Sequence, residues 1–506
     1  MWSLEPFEYL RGLPLDYVTN FSSLGDYFAK NYTMITPKNP KISDDTIACI
    51  EKYSRKIGAP SPVFENIERL KENPIIVTGQ QPCLLTGPLF VIYKALTAVI
   101  LAEKYDAVPV FWNASEDDDA AEVNHIWVMN GDLEKISVDF EPQPFFKILL
   151  MENALQSIIE QLEELTPSTE FRKAVLEVIP RCSLPFSEVF SRILTALFSD
   201  YGLIVVEPHI FSELTIPVYR KFIEHPVKAA QLVNQAGDSL KTQGYKRQLH
   251  KPDDSCSFYL LCNHRRHNVT YDQKFKVNST LYTEKELLDL LDEHPALFSS
   301  NVISRPLIQD FLFSSLAYCA GPGEITYFAQ MNNVYAFFDI EEPYIVPRFG
   351  ATILENKTQK VLDKYSITIS DLREPERILK NLAKEGIRGF FNRCRKDFAE
   401  MLREIEEYMT SVDFNLKKSS KAMSTHILKD LATLEEKTAA ARKRQNLLLE
   451  TQVAKASANI FPRGNLQERV LNVFQYLIRY PSFVKLLHES FHTASLGDHL
   501  IVRPGD

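Results

Sequence analysis

Three stretches of the chain concentrate residues able to bind or move charge. The first is "TGQQPCLLTGPLFVIYK", residues 78–94, where Thr78-Gly79 closes an apolar run and Thr86-Gly87-Pro88 opens a helical one. A loop of this kind offers backbone N–H groups and a helix start to an anion. The adjacent amides of Gln80 and Gln81 can hydrogen-bond a polar ligand. The spacing is neither GxGxxG nor GxxxxGK[ST], so neither a dinucleotide fingerprint nor a P-loop is read from it. The alternative is a tight turn that needs glycine only for its dihedrals. Lys94, about two turns into the helix, either reaches an anion or snorkels to solvent.

The second stretch is "VPVFWNASEDDDAAEVNH", residues 108–125, in which a strand containing Trp112 runs into Glu116, Asp117, Asp118 and Asp119. At a strand's carboxyl end such acids can hold an ammonium group, accept a proton or bind a divalent cation. The plainer reading is a solvated acidic loop. Asp119 and His125 are six apart, which is no recognised ligand spacing, so no metal is expected. The third is "SRPLIQDFLFSSLAYCAGPGEITYFAQ", residues 304–330, which sets Arg305, Gln309, Asp310, Glu324 and Gln330 around an apolar helix and contains the constrained turn Gly321-Pro322-Gly323-Glu324. Arg348 follows the strand "YIVP" and can clamp a carboxylate or phosphate, or form an ordinary salt bridge to Asp310 or Glu324.

Strands and helices must position these groups. Residues 1–70 read as helical and polar. Beyond them Ile75–Thr78, Val108–Asn113, "LIVVEP" at 203–208 and "YIVP" at 344–347 read as short buried strands among helices, including one from Pro88 to Tyr105. That alternation predicts a parallel sheet covered on both faces. Residues 257–272 read as an inserted hairpin and Thr283–Asp292 as a helix.

After about residue 370 no strand is expected. Ile387, Phe391, Cys394, Phe398, Met401, Ile405 and Tyr408 recur at steps of three and four, as do Ile427, Leu431, Leu434, Thr438 and Ala441. With "SVDFN" as the turn, they predict an antiparallel coiled-coil arm whose apolar seam suggests a homodimer. The expected units are 1–365 for the core, 366–460 for the arm, and 461–506 for a helical segment packing back near the sheet.

At 506 residues the chain exceeds one ordinary core, and 45% hydrophobic with 24% charged residues is a globular composition. A net charge of -9 argues against a broad nucleic-acid surface. The N-terminus lacks a signal-peptide pattern, and Leu89–Ala102 is too short and too broken by Lys94 to span a membrane. Seven scattered cysteines without a CxxC pair read as reduced thiols, so a cytoplasmic protein is expected.

Taken together, residues 78–102 and 108–125, "RPLIQDFLFSSLAYCAGPGEITYFAQ", "PRFGATILE" and "FPRGNLQERVLN" resemble the BshC family of bacillithiol biosynthesis. The resemblance runs in order from about residue 74 to the C-terminus. It implies a Rossmann-like, nucleotidyltransferase-type α/β core, a dimerising coiled-coil arm, and a cytoplasmic ligase joining cysteine to glucosaminyl-malate. It further implies ATP as the activator, through an acyl-adenylate or acyl-phosphate, with residues 78–87 and Lys94 on the phosphates. Glu116, Asp117 and Asp119 would handle the amine and its proton, and Arg348 or Arg305 the malate carboxylates. Where the family usually reads Glu-Asp-His-Asp, this chain has Asp118 in place of the histidine, which makes His125 the nearest substitute. Two other functions fit the same elements: a nucleotide-binding scaffold whose arm recruits enzymes, and a nucleotidyltransferase acting on another small acid.

Overall fold

The computed structural model describes residues 2–445 and 447–505, with side chains except at 2, 381–387, 443–445 and 447. The chain divides into two compact units, 1–353 joined by 466–506, and 354–465 inserted between them.

The first unit is built on five parallel strands: β1 (Ile75–Gln80), β2 (Val108–Asn113), β3 (Ile204–Val206), β4 (Ala317–Ala320) and β5 (Tyr344–Pro347), in the spatial order β5-β4-β1-β2-β3. Four of the five coincide with the apolar runs read as strands. Their residues are almost all buried, as expected for a sheet covered on both faces. β4 falls inside the stretch read as surrounding one helix. "AYCA" has no β-branched residue, and its apolar run merges with those of the flanking helices, α2 (Ser304–Phe313) and α3 (Pro322–Phe328). Gly321 to Glu324 is correspondingly the start of α3 rather than a free turn: Gly321 is its N-cap, and the Glu324 carboxylate accepts the Gly321 N–H.

The strand order places β1 beside β4, where connections to successive strands depart in opposite directions. That is the switch point at which open α/β sheets leave a crevice beyond their carboxyl ends. Gly79 is forced by the sheet itself, since a Cβ there would lie 2.7 Å from the Trp112 carbonyl oxygen on β2.

Helix α1 (Phe90–Lys104) follows β1 and is buried continuously from Val91 to Ala102. A helix apolar all round has to lie inside. The C-terminal helix Phe483–His492 packs on it, with Phe491 edge-on to Tyr93. Each large side chain so buried contributes about 1.5–3 kcal/mol.

The hairpin read at 257–272 is present as Ser255–Cys262 and Arg265–Asp272, within a five-stranded antiparallel sheet completed by Lys274–Val277, Thr280–Tyr282 and Phe298–Ser300. The helix expected at 283 runs Glu284–Glu293, with Thr283 as its N-cap. One strand does occur after residue 370: His499–Val502 pairs with Trp2–Leu4 and with Gly350–Ile353. It is only four residues long, and its Leu-Ile-Val run is a strand signal that the helical reading of 461–506 passed over.

In the second unit α4 (Pro375–Val412) and α5 (Leu416–Gln445) run antiparallel around a short Asp413–Asn415 connection. Helix Asn356–Tyr365, which the sequence reading assigns to the core, packs in this unit on Leu447–Ile460. The seam is narrower than its periodicity suggests. Phe391, Leu402 and Ala439 are buried, and Arg395 pairs with Glu435 at 2.6 Å. Phe398, Met401, Tyr408 and Leu434 are exposed, as are Thr438 and Ala441. The side chain of Ile387 lies outside the described residues. No described helix is long and apolar enough to cross a membrane.

Candidate active site

A cleft of about 680 Å³ opens at the carboxyl edge of the parallel sheet, within the size range of ligand sites. Residues at or beyond the carboxyl ends of all five strands line it: Gly79–Gln81 at the end of β1, Glu116–Asp119 after β2, Pro208 after β3, Gly321–Glu324 after β4 and Arg348 after β5.

One wall is built on Lys94. Although 2% exposed, it does not snorkel: it donates to the Gly79 carbonyl at 2.6 Å, to Gln80 Oε1 at 3.2 Å and to Glu324 Oε2 at 2.6 Å. Burial pulls the ammonium pKa down, and Glu324 opposes that pull. Burial by itself would raise the Glu324 pKa, but Lys94 and Arg305 hold it below the usual carboxylate range. Glu324 Oε1 accepts from Tyr318 at 2.8 Å, while Arg305 donates to the hydroxyls of Tyr318 at 3.3 Å and Tyr327 at 2.6 Å. Arg348 pairs with neither Asp310 nor Glu324. Its guanidinium forms a buried two-pronged pair with Glu468, at 2.5 and 3.2 Å.

The facing wall is acidic and is organised by an arginine from the inserted sheet. Arg266 donates to Asp117 Oδ1 at 2.6 Å and to the Ser300 carbonyl at 2.9 Å, stacks 4.2 Å over Tyr259, and lies 3.5 Å from Asp118. Asp117 Oδ2 accepts from Gln81 at 2.6 Å, so both of its oxygens are fixed. Glu116 Oε2 accepts from the Ser300 amide at 2.9 Å and hydroxyl at 3.0 Å, which moors the acidic loop to the insert. Burial raises the Glu116 pKa. Asp119 is exposed at the rim. Asp117 and Asp118 share one guanidinium, and with Glu116 and Asp119 in the same lining the wall favours a cation such as an ammonium group.

Of the residues expected at a site, Gly79, Gln80, Gln81, Lys94, Glu116, Asp117, Asp119, Arg305, Gly321, Gly323, Glu324 and Arg348 line the cleft. Others do not. Thr78 is buried and ties β1 to the Cys319 carbonyl of β4. Thr86 and Gly87 turn away at positive φ, with Asn472 holding the Gly87 carbonyl. Trp112 stacks on Phe211 in the core. Gln309 is buried with no hydrogen-bond partner for its amide among the described residues. Asp310 is buried beside Tyr335, its pKa pushed up to about 7 by burial. His125 contacts Asn124 and Trp127, outside the lining. Gln330 clamps the backbone of Gln248 and Leu249, and so acts on the lining only through Gln248.

Among the lining residues that sequence reading missed, Tyr259, Arg266 and Ser300 come from the inserted sheet and Arg469 from beyond the second unit. Only spatial proximity marks them.

Comparison with known proteins agrees with this architecture. The profile of the bacillithiol biosynthesis BshC N-terminal Rossmann-like domain matches residues 7–349, and that of the BshC C-terminal coiled-coil domain matches 351–504. A Salinibacter ruber protein is 30% identical over 516 positions, covering 95% of this chain and 94% of its own. A Chlorobaculum tepidum protein is 32% identical over 522 positions, with 94% and 91% covered, and one from Geobacillus kaustophilus is 30% identical over 463, with 85% of each covered. Each bears the name of a proposed cysteine ligase, BshC.

Proposed function

Because the chain belongs to the BshC family, we propose that it is a cysteine ligase of bacillithiol biosynthesis, joining the carboxyl of L-cysteine to the amine of glucosaminyl-malate in the cytoplasm. The observation that carries this reading is the cleft itself, whose opposed acidic and basic walls suit a reaction between an amine and an anionic acid.

Amide formation from a free carboxylate needs an activating group, and ATP supplies it when bound. The cleft is large enough for a nucleotide, and Lys94, Arg305, Arg348 and Arg469 line it. Gly323 has nothing within 4 Å of where a Cβ would stand, so a ligand can approach its backbone closely. Arg305 and the backbone at Gly321–Gly323 would hold the nucleotide or the malate carboxylates. Lys94, whose three donors are already engaged, fixes Gly79, Gln80 and Glu324 in place rather than offering a free ammonium.

Across the cleft the amine would sit against Asp117 and Asp118, with Asp117 oriented by Gln81 and Arg266. Holding nucleophile and acceptor together supplies much of the acceleration, and a carboxylate at the amine accepts the proton released as the C–N bond forms.

The purified chain, incubated with cysteine, glucosaminyl-malate and ATP, should yield the cysteinyl adduct by mass spectrometry, with cleavage of ATP that depends on both substrates. A gene deletion should deplete the cysteinyl thiol and accumulate glucosaminyl-malate. An unchanged thiol pool in the deletion strain would sink the proposal.

A further inference from the structure

We propose that Glu103, His488 and His492 form a binding site for a divalent transition-metal ion, with zinc as the expected occupant. His488 and His492 are four apart on helix Phe483–His492, which puts both imidazoles on one face. Glu103 closes the last turn of α1 opposite them. His488 Nε2 lies 3.0 Å from each Glu103 oxygen, and His492 Nε2 lies 2.6 Å from Oε2. Among the described residues this is the one group of three or more His, Cys, Asp or Glu whose donor atoms lie within 4.8 Å of one another.

Two imidazole nitrogens and a carboxylate are a donor set that zinc takes at about 2.0–2.2 Å, with water in the fourth position. Tetrahedral geometry at those lengths needs donors roughly 3.4 Å apart, so side-chain shifts of about half an ångström would admit the ion. Magnesium and calcium, which prefer oxygen ligands, are disfavoured. The His488 ring is held against Tyr201, centroids 4.7 Å apart, and its side chain is 15% exposed, whereas His492 is 44% exposed. One ligand is therefore preset and another lies open to solvent.

Glu103 lies nine residues beyond Lys94 on α1, about 13 Å along the axis. The ion would take no part in chemistry at the cleft. It would staple the C-terminal helix to the helix that positions Lys94. In sequence only His488 and His492 are visibly paired, and Glu103 lies 385 residues away from the first of them.

The test is zinc titration of the full chain after chelation, followed by calorimetry and thermal unfolding, beside His492→Ala and Glu103→Gln. The expected result is one zinc per chain, a higher Tm with zinc, and affinity lowered at least about tenfold in both variants with their Tm no longer responding, since even groups behind a ligand commonly matter by that factor. Absence of binding, or binding unchanged in both variants, would overturn the site. Should the metal-free variants prove destabilised, the cobalt spectrum of the native chain decides. Four-coordinate bands without a thiolate charge-transfer band support the site, and a thiolate band assigns the metal to cysteine instead.

Discussion

The two walls of the cleft solve opposite problems. On the Lys94 wall, two buried charges are matched, Lys94 to Glu324 and Arg348 to Glu468, while Arg305, donating to two neutral tyrosine hydroxyls, leaves the wall basic. On the acidic wall, charges of one sign are crowded at partial exposure around Arg266. The matched wall is rigid because removing either partner leaves a charge buried alone. The crowded wall keeps unspent negative potential for a ligand to neutralise. One wall holds geometry, and the other supplies the attraction.

The sharpest way to break this contrast is Lys94→Met. It strands Glu324 and should cost about 3–5 kcal/mol of stability by denaturant unfolding, together with nearly all ligation. Asp117→Asn keeps the shape but removes the proton acceptor. It should leave stability close to native while lowering kcat by about 10²–10⁴-fold, and full activity in that variant would remove Asp117 from the mechanism. Arg266→Lys keeps the charge but loses the planar fork and the stacking on Tyr259, so KM for the amine substrate should rise about tenfold, the equivalent of roughly 1.4 kcal/mol. Asp119→Asn at the rim should change kcat/KM by no more than a few-fold, and less at high salt.

A control for both walls lies in the core. Burial pushes the carboxyl of Asp310 up to about 7 and that of Glu342 up to about 8. Each keeps its proton in the folded chain at a pH where the unfolded chain has released it, so stability is full below about pH 4 and falls as pH rises toward 7 to 8. Asp310→Asn should therefore show a Tm advantage over the native chain that is absent near pH 4 and grows to its full size by pH 8, worth up to a few kcal/mol. Ligation by that variant should be unchanged. A loss of ligation would return Asp310 to the site.

These contrasts also show what could be read in advance. The loop after β1 and the acids after β2 are contiguous, and each follows an apolar run, so chain order alone puts them on one edge. Arg266 and Ser300 arrive on an antiparallel insertion whose sequence says only that it is a hairpin. Glu468 meets Arg348 across 120 positions, a pairing no local pattern encodes. Lys94 was legible in part. "LFVIYKALTAVILA" has no polar face, so a lysine at its centre had to find partners indoors, and sequence alone could not say that one of them would be Glu324. β4 stayed hidden because a single tyrosine among alanine and cysteine, in an apolar run shared with two helices, is too weak a preference for a strand.

The insertion of residues 354–465 ahead of Glu468 also sets an order of events during synthesis. Arg348 leaves the ribosome well before its carboxylate does, and at about 5–20 residues per second the interval is on the order of ten seconds. An unpaired guanidinium resists being shut into an apolar interior, so the β5 edge is expected to close over Arg348 only once Glu468 has been made. Residues 466–506 are the latch, and the lining of the candidate cleft is complete only once Arg469 has been made.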